Sequence, residues 1–382
     1  MTSEKKAPRI VVFGNSASSM INFRGPLIKH LVLNGVDVFA LAPGYDAATK
    51  AVVNDLGATP VDLIMSRSGK NPFDEVRLCL QLFNILRRIR PDALLSYFIK
   101  PAIYGSIVGW MAKTPMRIAL IEGLGYSFQK SAREGHQRRL LRSLVTLMFR
   151  FALAKASKIV VLNEDDRQQF MKMNVGVAGE IENIGGIGVD LDEFAYQPPA
   201  LGPLTFLCAA RLIREKGIVD FADAARIVKL ARPDIQFVVL GGVDNNPGSL
   251  EAETIEQWVK EGILAWPGSV ADVRPWLAAC SVFVLPSFYR EGVPRSIQEA
   301  MAIGRAIITT DNVGCRDTVE PEVNGLIVTP QQPQELAEAI LELAKDIKRI
   351  AAMGEESRAL AEARYDAERF NSRIAELAFP TE

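Results

Sequence analysis

Two carboxylates with seven residues between them, Glu291 and Glu299, frame the segment E-G-V-P-R-S-I-Q-E. The segment follows an apolar run, Ser281 to Leu285, that reads as a strand, and a helix opens near Pro294. At about 3.6 residues per turn, Glu291 lies on the loop before that helix and Glu299 about one and a half turns into it. A helix N-terminus presents free N–H groups and partial positive charge, which suits a phosphate. A carboxylate on either side accepts hydrogen bonds from sugar hydroxyls. Phosphate in the middle with hydroxyls at both ends describes a nucleotide-sugar. The spacing alone is equally met by two solvated glutamates, since Glu is favoured in a first helical turn. The setting favours the site: Ile297, Ala300 and Met301 make an inward face and Glu299 sits one position off it, at a rim. The strand–loop–helix order also puts the pair at the carboxyl end of a strand, where open α/β sheets bind ligands.

Other groups have matching chemistry. Arg211 and Lys216 lie in A-R-L-I-R-E-K-G, on a loop between the strand Leu204 to Ala210 and a helix beginning near Val219. Two cations so placed neutralise a diphosphate leaving group, although the spacing is also that of a surface loop. Glu122 stands at the carboxyl end of the strand Arg117 to Ile121, in E-G-L-G, where it either serves a site or caps the next helix. Asp190-Leu191-Asp192 has the form of a D-x-D metal site, but no other carboxylate cluster supports one, so no metal is expected.

The elements that position these groups are short apolar runs alternating with helices, beginning with the βαβ unit Arg9 to Leu41 around Gly14. The run P-P-A-L-G-P, residues 198 to 203, is the clearest linker. The chain has 382 residues, 48% apolar and 23% charged, which suits two soluble α/β domains. A net charge of −1 gives no case for nucleic acid, and four dispersed cysteines read as buried thiols of a reducing compartment. The polar N-terminus and the lack of a long apolar run point to a cytoplasmic location without a membrane span. Residues 130 to 158 hold eight Lys or Arg (130, 133, 138, 139, 142, 150, 155 and 158) against Glu134 alone. Leu140, Leu141, Leu144, Met148 and Phe151 recur there at helical spacing, as in a helix lying on an anionic membrane or one packed on a core with a solvated basic side.

The segment E-G-V-P-R-S-I-Q-E resembles the E-x7-E motif of retaining glycosyltransferases of family 4, and Arg211 and Lys216 match that family's R-x4-K-G phosphate motif. The resemblance implies the GT-B fold: two doubly wound Rossmann-like domains facing a cleft, residues 1–195 and 203–360, with a C-terminal helix, 361–382, crossing back to the first. It implies that Glu299 holds the nucleotide ribose and that Glu291, Gly292 and Val293 hold the donor sugar. Arg211 and Lys216 would meet the diphosphate, Val270 the uracil, and Gly14 would lie near the donor. Asn15, Phe23, Arg24, Lys100 and Glu122 fall on the acceptor side. The motif E-G-L-G, residues 122 to 125, is similar to that of bacterial enzymes that elongate polyprenyl-diphosphate-linked oligosaccharides, including N-acetylgalactosaminyltransferases. Neither His30 nor His136 occupies the place where many family members carry a His, which leaves Glu122 to orient or polarise the acceptor hydroxyl.

The implied activity is retaining, metal-independent transfer of a hexose or N-acetylhexosamine from a UDP-sugar to a polyprenyl-diphosphate-linked sugar, with no cofactor beyond the donor. The implied location is the inner face of the cytoplasmic membrane, held by the basic stretch. Glu122, Arg211, Lys216 and Glu291 are the expected catalytic groups. A nucleotide-sugar epimerase of the same fold, a transferase with a soluble acceptor and a non-catalytic nucleotide-sugar sensor are the competing readings.

Overall fold

Strands that are apolar on both faces have to be covered by helices on both sides, and the computed structural model of the chain shows that arrangement twice. It describes residues 7–65, 71–125, 128, 136–175, 181–243 and 248–380. Two compact units divide the chain: residues 1–187 with 367–382, and residues 188–366.

The first unit is a seven-stranded, wholly parallel sheet. Its strands are β1 (Arg9–Phe13), β2 (Asp37–Ala42), β3 (Thr59–Asp62), β4 (Ala93–Tyr97), β5 (Met116–Ile121), β6 (Lys158–Val161) and β7 (Ile181–Asn183), and the order is β3-β2-β1-β4-β5-β6-β7. Helices α1 (Ala17–Leu33), α2 (Ala47–Asp55), α3 (Pro72–Ile89), α4 (Ile99–Met111), α5 (His136–Leu153) and α6 (Glu164–Lys172) make the crossovers. The second unit is a six-stranded parallel sheet of β8 (Thr205–Ala209), β9 (Gln236–Leu240), β10 (Ala265–Gly268), β11 (Val282–Leu285), β12 (Ala306–Thr310) and β13 (Gly325–Val328), in the order β10-β9-β8-β11-β12-β13. Its helices are α7 (Ile218–Ala231), α8 (Ala252–Lys260), α9 (Arg274–Ala279), α10 (Arg295–Ile303), α11 (Pro333–Leu343) and α12 (Ile347–Arg364).

In each sheet the strand order reverses once, between β1 and β4 and between β8 and β11. Loops diverge at such a point and leave a crevice beyond the carboxyl ends of the strands. Gly14 and Phe98 follow β1 and β4; Arg211 to Lys216 and Pro286 to Val293 follow β8 and β11.

The units divide at Ile187 and Gly188, so the Pro-rich run 198–203 lies inside the second unit. The segment before it is tied down there. Gly188 N–H donates to Gln298 Oε1 (2.9 Å) and Val189 N–H to Tyr365 O (2.8 Å). Arg358 Nη1 donates to the carbonyls of Phe194 (3.0 Å) and Ala302 (2.8 Å). Asp346 caps α12 by accepting from Arg349 N–H (3.1 Å), α12 ends at Tyr365, and α13 (Ala367–Ala378) packs on α1 in the first unit. Strands β3 and β10 carry Pro60 and Pro267 and have little apolar alternation. Both are edge strands, the position that tolerates a missing N–H donor.

Asp220, in the first turn of α7, is half-buried, and desolvation with nearby Asp223 pushes its carboxyl up to about 6. The folded state therefore favours the protonated form. No penalty exists below about pH 4, where folded and unfolded chains are both protonated; stability falls as the pH rises towards 6 and stays reduced above it. Full burial would make this about 3 kcal/mol, and partial exposure reduces it to roughly 1 kcal/mol. Asp220→Asn should raise Tm at pH 8 and leave it unchanged at pH 4, as read by thermal melts at the two pH values.

Candidate active site

In the second unit, the adjacency of β8 and β11 brings together loops far apart in sequence. After β8 the chain makes a 3₁₀ turn, Arg214–Lys216, and Glu215 O accepts from the backbone N–H groups of Phe288 and Tyr289, both at 2.9 Å. Gly217 follows with φ +75°, and a Cβ there would lie 2.1 Å from Pro286 O, so only glycine allows this approach. The turn places Lys216 Nζ 2.5 Å from Glu291 Oε1, in a pair whose side chains are only 13% and 11% exposed. Buried Ser287 donates its hydroxyl to the same Glu291 oxygen (3.0 Å) and also lies 3.2 Å from Glu215 O. From the other side, Gly314 in the loop after β12 has φ +77°, and a Cβ on it would lie 2.0 Å from Gly292 O. Glu291 is thus held by a cation, a hydroxyl and two backbone approaches that admit no side chain.

One and a half turns into α10, Glu299 pairs with Arg295 at 2.8 Å across one turn of the helix. Desolvation raises its carboxyl above the usual range, with Arg295 pulling the other way. Gln298, fully buried, donates to Val293 O (3.0 Å) and so fixes the loop ahead of the helix. Val293 is buried, Arg211 stands exposed at the start of its loop, and Val270 is half-buried just past the end of β10. Trp266 Nε1 donates to Gly241 O (2.9 Å), which orients the turn leading to Val270.

In the first unit, Glu122 leaves the end of β5 and pairs with Arg24 from α1; their side chains are 9% and 0% exposed. The Arg24 guanidinium carbon lies 4.4 Å from the centre of the Tyr97 ring and 5.4 Å from that of Phe370 on α13. Arg24 Nη1 donates to Phe23 O at 2.8 Å. The Tyr97 hydroxyl meets Ser19 Oγ at 3.1 Å, and Ser19 Oγ donates to Asn15 Oδ1 at 3.2 Å. Burial pushes the Tyr97 phenol up to about 12 against the pull of Arg24, which keeps it a neutral donor. The rings of Phe23 and Phe98 meet edge to face at 6.4 Å.

Arg24, expected on the acceptor side, is wholly buried, with Glu122 as its counter-charge. Gly14 is explained by packing, since a Cβ there would stand 2.1 Å from the Tyr97 hydroxyl. Lys100, in the first turn of α4, is held by Glu75 at 2.7 Å and faces the Tyr104 ring at 5.9 Å. Asp190 Oδ1 accepts from the N–H groups of Asp192 and Glu193, both at 3.0 Å, so its carboxylate caps a turn. Sequence reasoning missed Ser287, Arg295 and Gln298, although all three lie in or beside the E-G-V-P-R segment. It also missed Gly314, Tyr97 and Phe370, which come from segments that carry no motif.

Two doubly wound parallel units, one with a cation–carboxylate cluster at its switch point, make the GT-B fold. Residues 203–346 match the family model described as glycosyl transferases group 1. Over 354 residues the chain is 29% identical to the N,N'-diacetylbacillosaminyl-diphospho-undecaprenol alpha-1,3-N-acetylgalactosaminyltransferase of Campylobacter jejuni, covering 89% of this chain and 90% of that one. It is 24% identical over 287 residues to the UDP-Gal:alpha-D-GlcNAc-diphosphoundecaprenol alpha-1,3-galactosyltransferase of Escherichia coli, covering 71% of each. Among solved structures, Anabaena Alr3699/HepE, crystallised in complex with UDP, superposes with a TM-score of 0.73 at 20% identity, over 96% of this chain and 98% of that one. Sucrose-phosphate synthase from Thermosynechococcus elongatus gives 0.77 at 20% identity, over 97% and 98%. These likenesses bear out the GT-B fold and the resemblance of the chain to glycosyltransferases.

Gly314→Ala adds a methyl at positive φ against Gly292 O and should cost about 1–3 kcal/mol of stability. It should also raise the donor KM several-fold by displacing the Glu291 loop. Thermal melts and donor titration kinetics on the same preparation check both effects.

Proposed function

We propose that the chain transfers a hexosyl or N-acetylhexosaminyl group from a UDP-sugar to a hydroxyl of a polyprenyl-diphosphate-linked sugar, with retention at the anomeric carbon. The observation that carries this reading is the Lys216–Glu291 pair at the β8/β11 switch point, backed by Ser287. A diphosphate competes with Glu291 for the Lys216 ammonium, and a sugar hydroxyl supplies the donor that Glu291 then lacks. The bond from the anomeric carbon to the diphosphate breaks, the acceptor oxygen bonds to that carbon from the same face, and the acceptor proton leaves on the departing phosphate. Arg211 and Lys216 stabilise the charge that develops there, so no metal is called on. Glu122 accepts a hydrogen bond from the acceptor hydroxyl and orients it. The relatives whose names specify undecaprenyl-diphosphate-linked sugars support the lipid acceptor.

The same reading puts the enzyme on the inner face of the cytoplasmic membrane through α5. No helix among the described residues is long and apolar enough to cross a membrane. One face of α5 enters the core with Phe149, Ala152 and Leu153. The other exposes Leu140, Leu147 and Phe151, each 63% exposed, together with Leu144 and Met148. Arg139 and Arg150 are exposed around them, and Lys155, just past the helix, is half-buried. An apolar stripe with basic flanks suits an anionic lipid surface. Of the remaining bases of this stretch, Lys130 and Arg133 lie outside the described residues, as does the side chain of Arg138.

The test is UDP release from a panel of UDP-sugars, with and without a synthetic polyprenyl-diphosphate-GlcNAc acceptor in detergent; release with one donor that requires the lipid acceptor is expected. Lys216→Ala should lower that rate by about 10²–10³-fold, and near-normal turnover would remove the diphosphate assignment. Leu147→Glu/Phe151→Glu should abolish flotation with anionic vesicles while leaving turnover of a short-chain acceptor in detergent intact. Unchanged flotation, or a change in oligomeric state instead, would remove α5 from the membrane.

A further inference from the structure

We infer that the C-terminal helix α13 is a working part of the acceptor-side cluster: Phe370 positions Arg24, and Arg24 in turn positions Glu122. The inference rests on the proposed role of Glu122 and concerns what holds it. A guanidinium keeps its charge at any ordinary pH, so burying one completely is costly unless its environment compensates. Arg24 is buried to 0% exposure, and its compensation is specific. Glu122 supplies the counter-charge, Phe23 O accepts a hydrogen bond, and two aromatic rings approach the cation, Tyr97 at 4.4 Å and Phe370 at 5.4 Å. Three of these groups come from α1, β4 and the end of β5, elements that surround the switch point of the first sheet. The fourth does not. Phe370 lies on a helix that belongs to the first unit but arrives only after the whole second unit has been threaded.

That helix is fixed on both flanks. Glu368 pairs with His30 of α1 at 2.8 Å. Arg373 pairs with Glu182 of β7, with Nη2 2.9 Å from Oε2. Phe370 is itself buried, between these anchors. A helix pinned this way holds its ring against the guanidinium at a set place. The guanidinium takes Glu122 Oε1, so the carboxylate is oriented by a wholly buried residue. Phe370 and Arg24 are therefore positioning residues, and their loss should act on turnover of the acceptor and leave donor binding alone.

The experiment compares Phe370→Leu, Phe370→Tyr, Arg24→Lys and the double variant Phe370→Leu/Arg24→Lys in the full-length enzyme. The readouts are transfer to the lipid-linked acceptor, the donor KM, and slow UDP-sugar hydrolysis without acceptor. Phe370→Leu keeps an apolar side chain of similar bulk but removes the aromatic face. It should lower kcat for transfer by roughly fivefold to tenfold, with donor KM and acceptor-free hydrolysis unchanged. Phe370→Tyr should restore most of the loss. The double variant should be no slower than Arg24→Lys alone, since both changes act through one cation. Should the Leu variant not fold, Phe370→Met takes its place in the same cycle. Normal transfer by a folded Phe370→Leu variant, or independent multiplicative losses in the double variant, would overturn the inference and reduce Phe370 to core packing. A wild-type enzyme inactive with every lipid-linked acceptor would instead remove the proposed function on which this rests.

Discussion

The Lys216–Glu291 pair is the constraint around which the second unit is built. Its two residues are 75 positions apart and almost shielded from water, where an unmatched charge is far more expensive than at the surface. Close placement requires that β8 and β11 lie side by side, that the 3₁₀ turn after β8 hydrogen-bond to the loop after β11, and that Gly217 and Gly314 carry no side chain. Each is a local feature with a steric or hydrogen-bonding cause, and together they leave an ammonium and a carboxylate facing one another beside the N-terminus of α10. Such a pair is responsive. An incoming anion and an incoming hydroxyl can replace each partner for the other, so binding exchanges interactions and strands neither charge.

The first unit solves a related problem differently. Its buried cation, Arg24, is enclosed by a carboxylate, a carbonyl and two aromatic faces, and nothing in that arrangement is offered to solvent except part of Glu122. The arginine belongs wholly to the scaffold, and the glutamate alone of the pair keeps some exposure. The glycine at position 14 follows from the same packing, because the Tyr97 ring that supports the guanidinium occupies the space a side chain would need. A short hydrogen-bonded chain through Ser19 then extends this order to Asn15, at the entrance of α1.

Helix α5 shows how one amphipathic pattern serves two surfaces. Its Phe149, Ala152 and Leu153 join the core formed with α4, β5 and β6, while Leu140, Leu144, Leu147, Met148 and Phe151 form a second apolar stripe facing out. Periodicity alone detects the outward stripe as readily as the inward one, since both repeat at helical spacing. Which of them is buried depends on the direction from which the sheet approaches.

The sequence by itself determined the class of the protein. Apolar runs too continuous for half-exposed strands required parallel sheets covered on both faces. The order of strand, loop and helix put Glu291, Glu299, Arg211 and Lys216 at carboxyl ends, where ligands bind. The edge strands β3 and β10 escaped notice because an edge needs little apolar content and accepts proline. The break at Tyr365 escaped because the helical composition is continuous across it. Only the tertiary structure decided who pairs with whom. It made Arg24 the buried counter-ion of Glu122, joined Lys216 to Glu291, gave Glu299 to Arg295, and brought Phe370 from the far end of the chain against Arg24 of α1. The reason is physical: a motif records local spacing along one element, whereas the partner of a buried charge is chosen by whatever the fold places within about 4 Å of it, and those neighbours come from segments that share no local pattern.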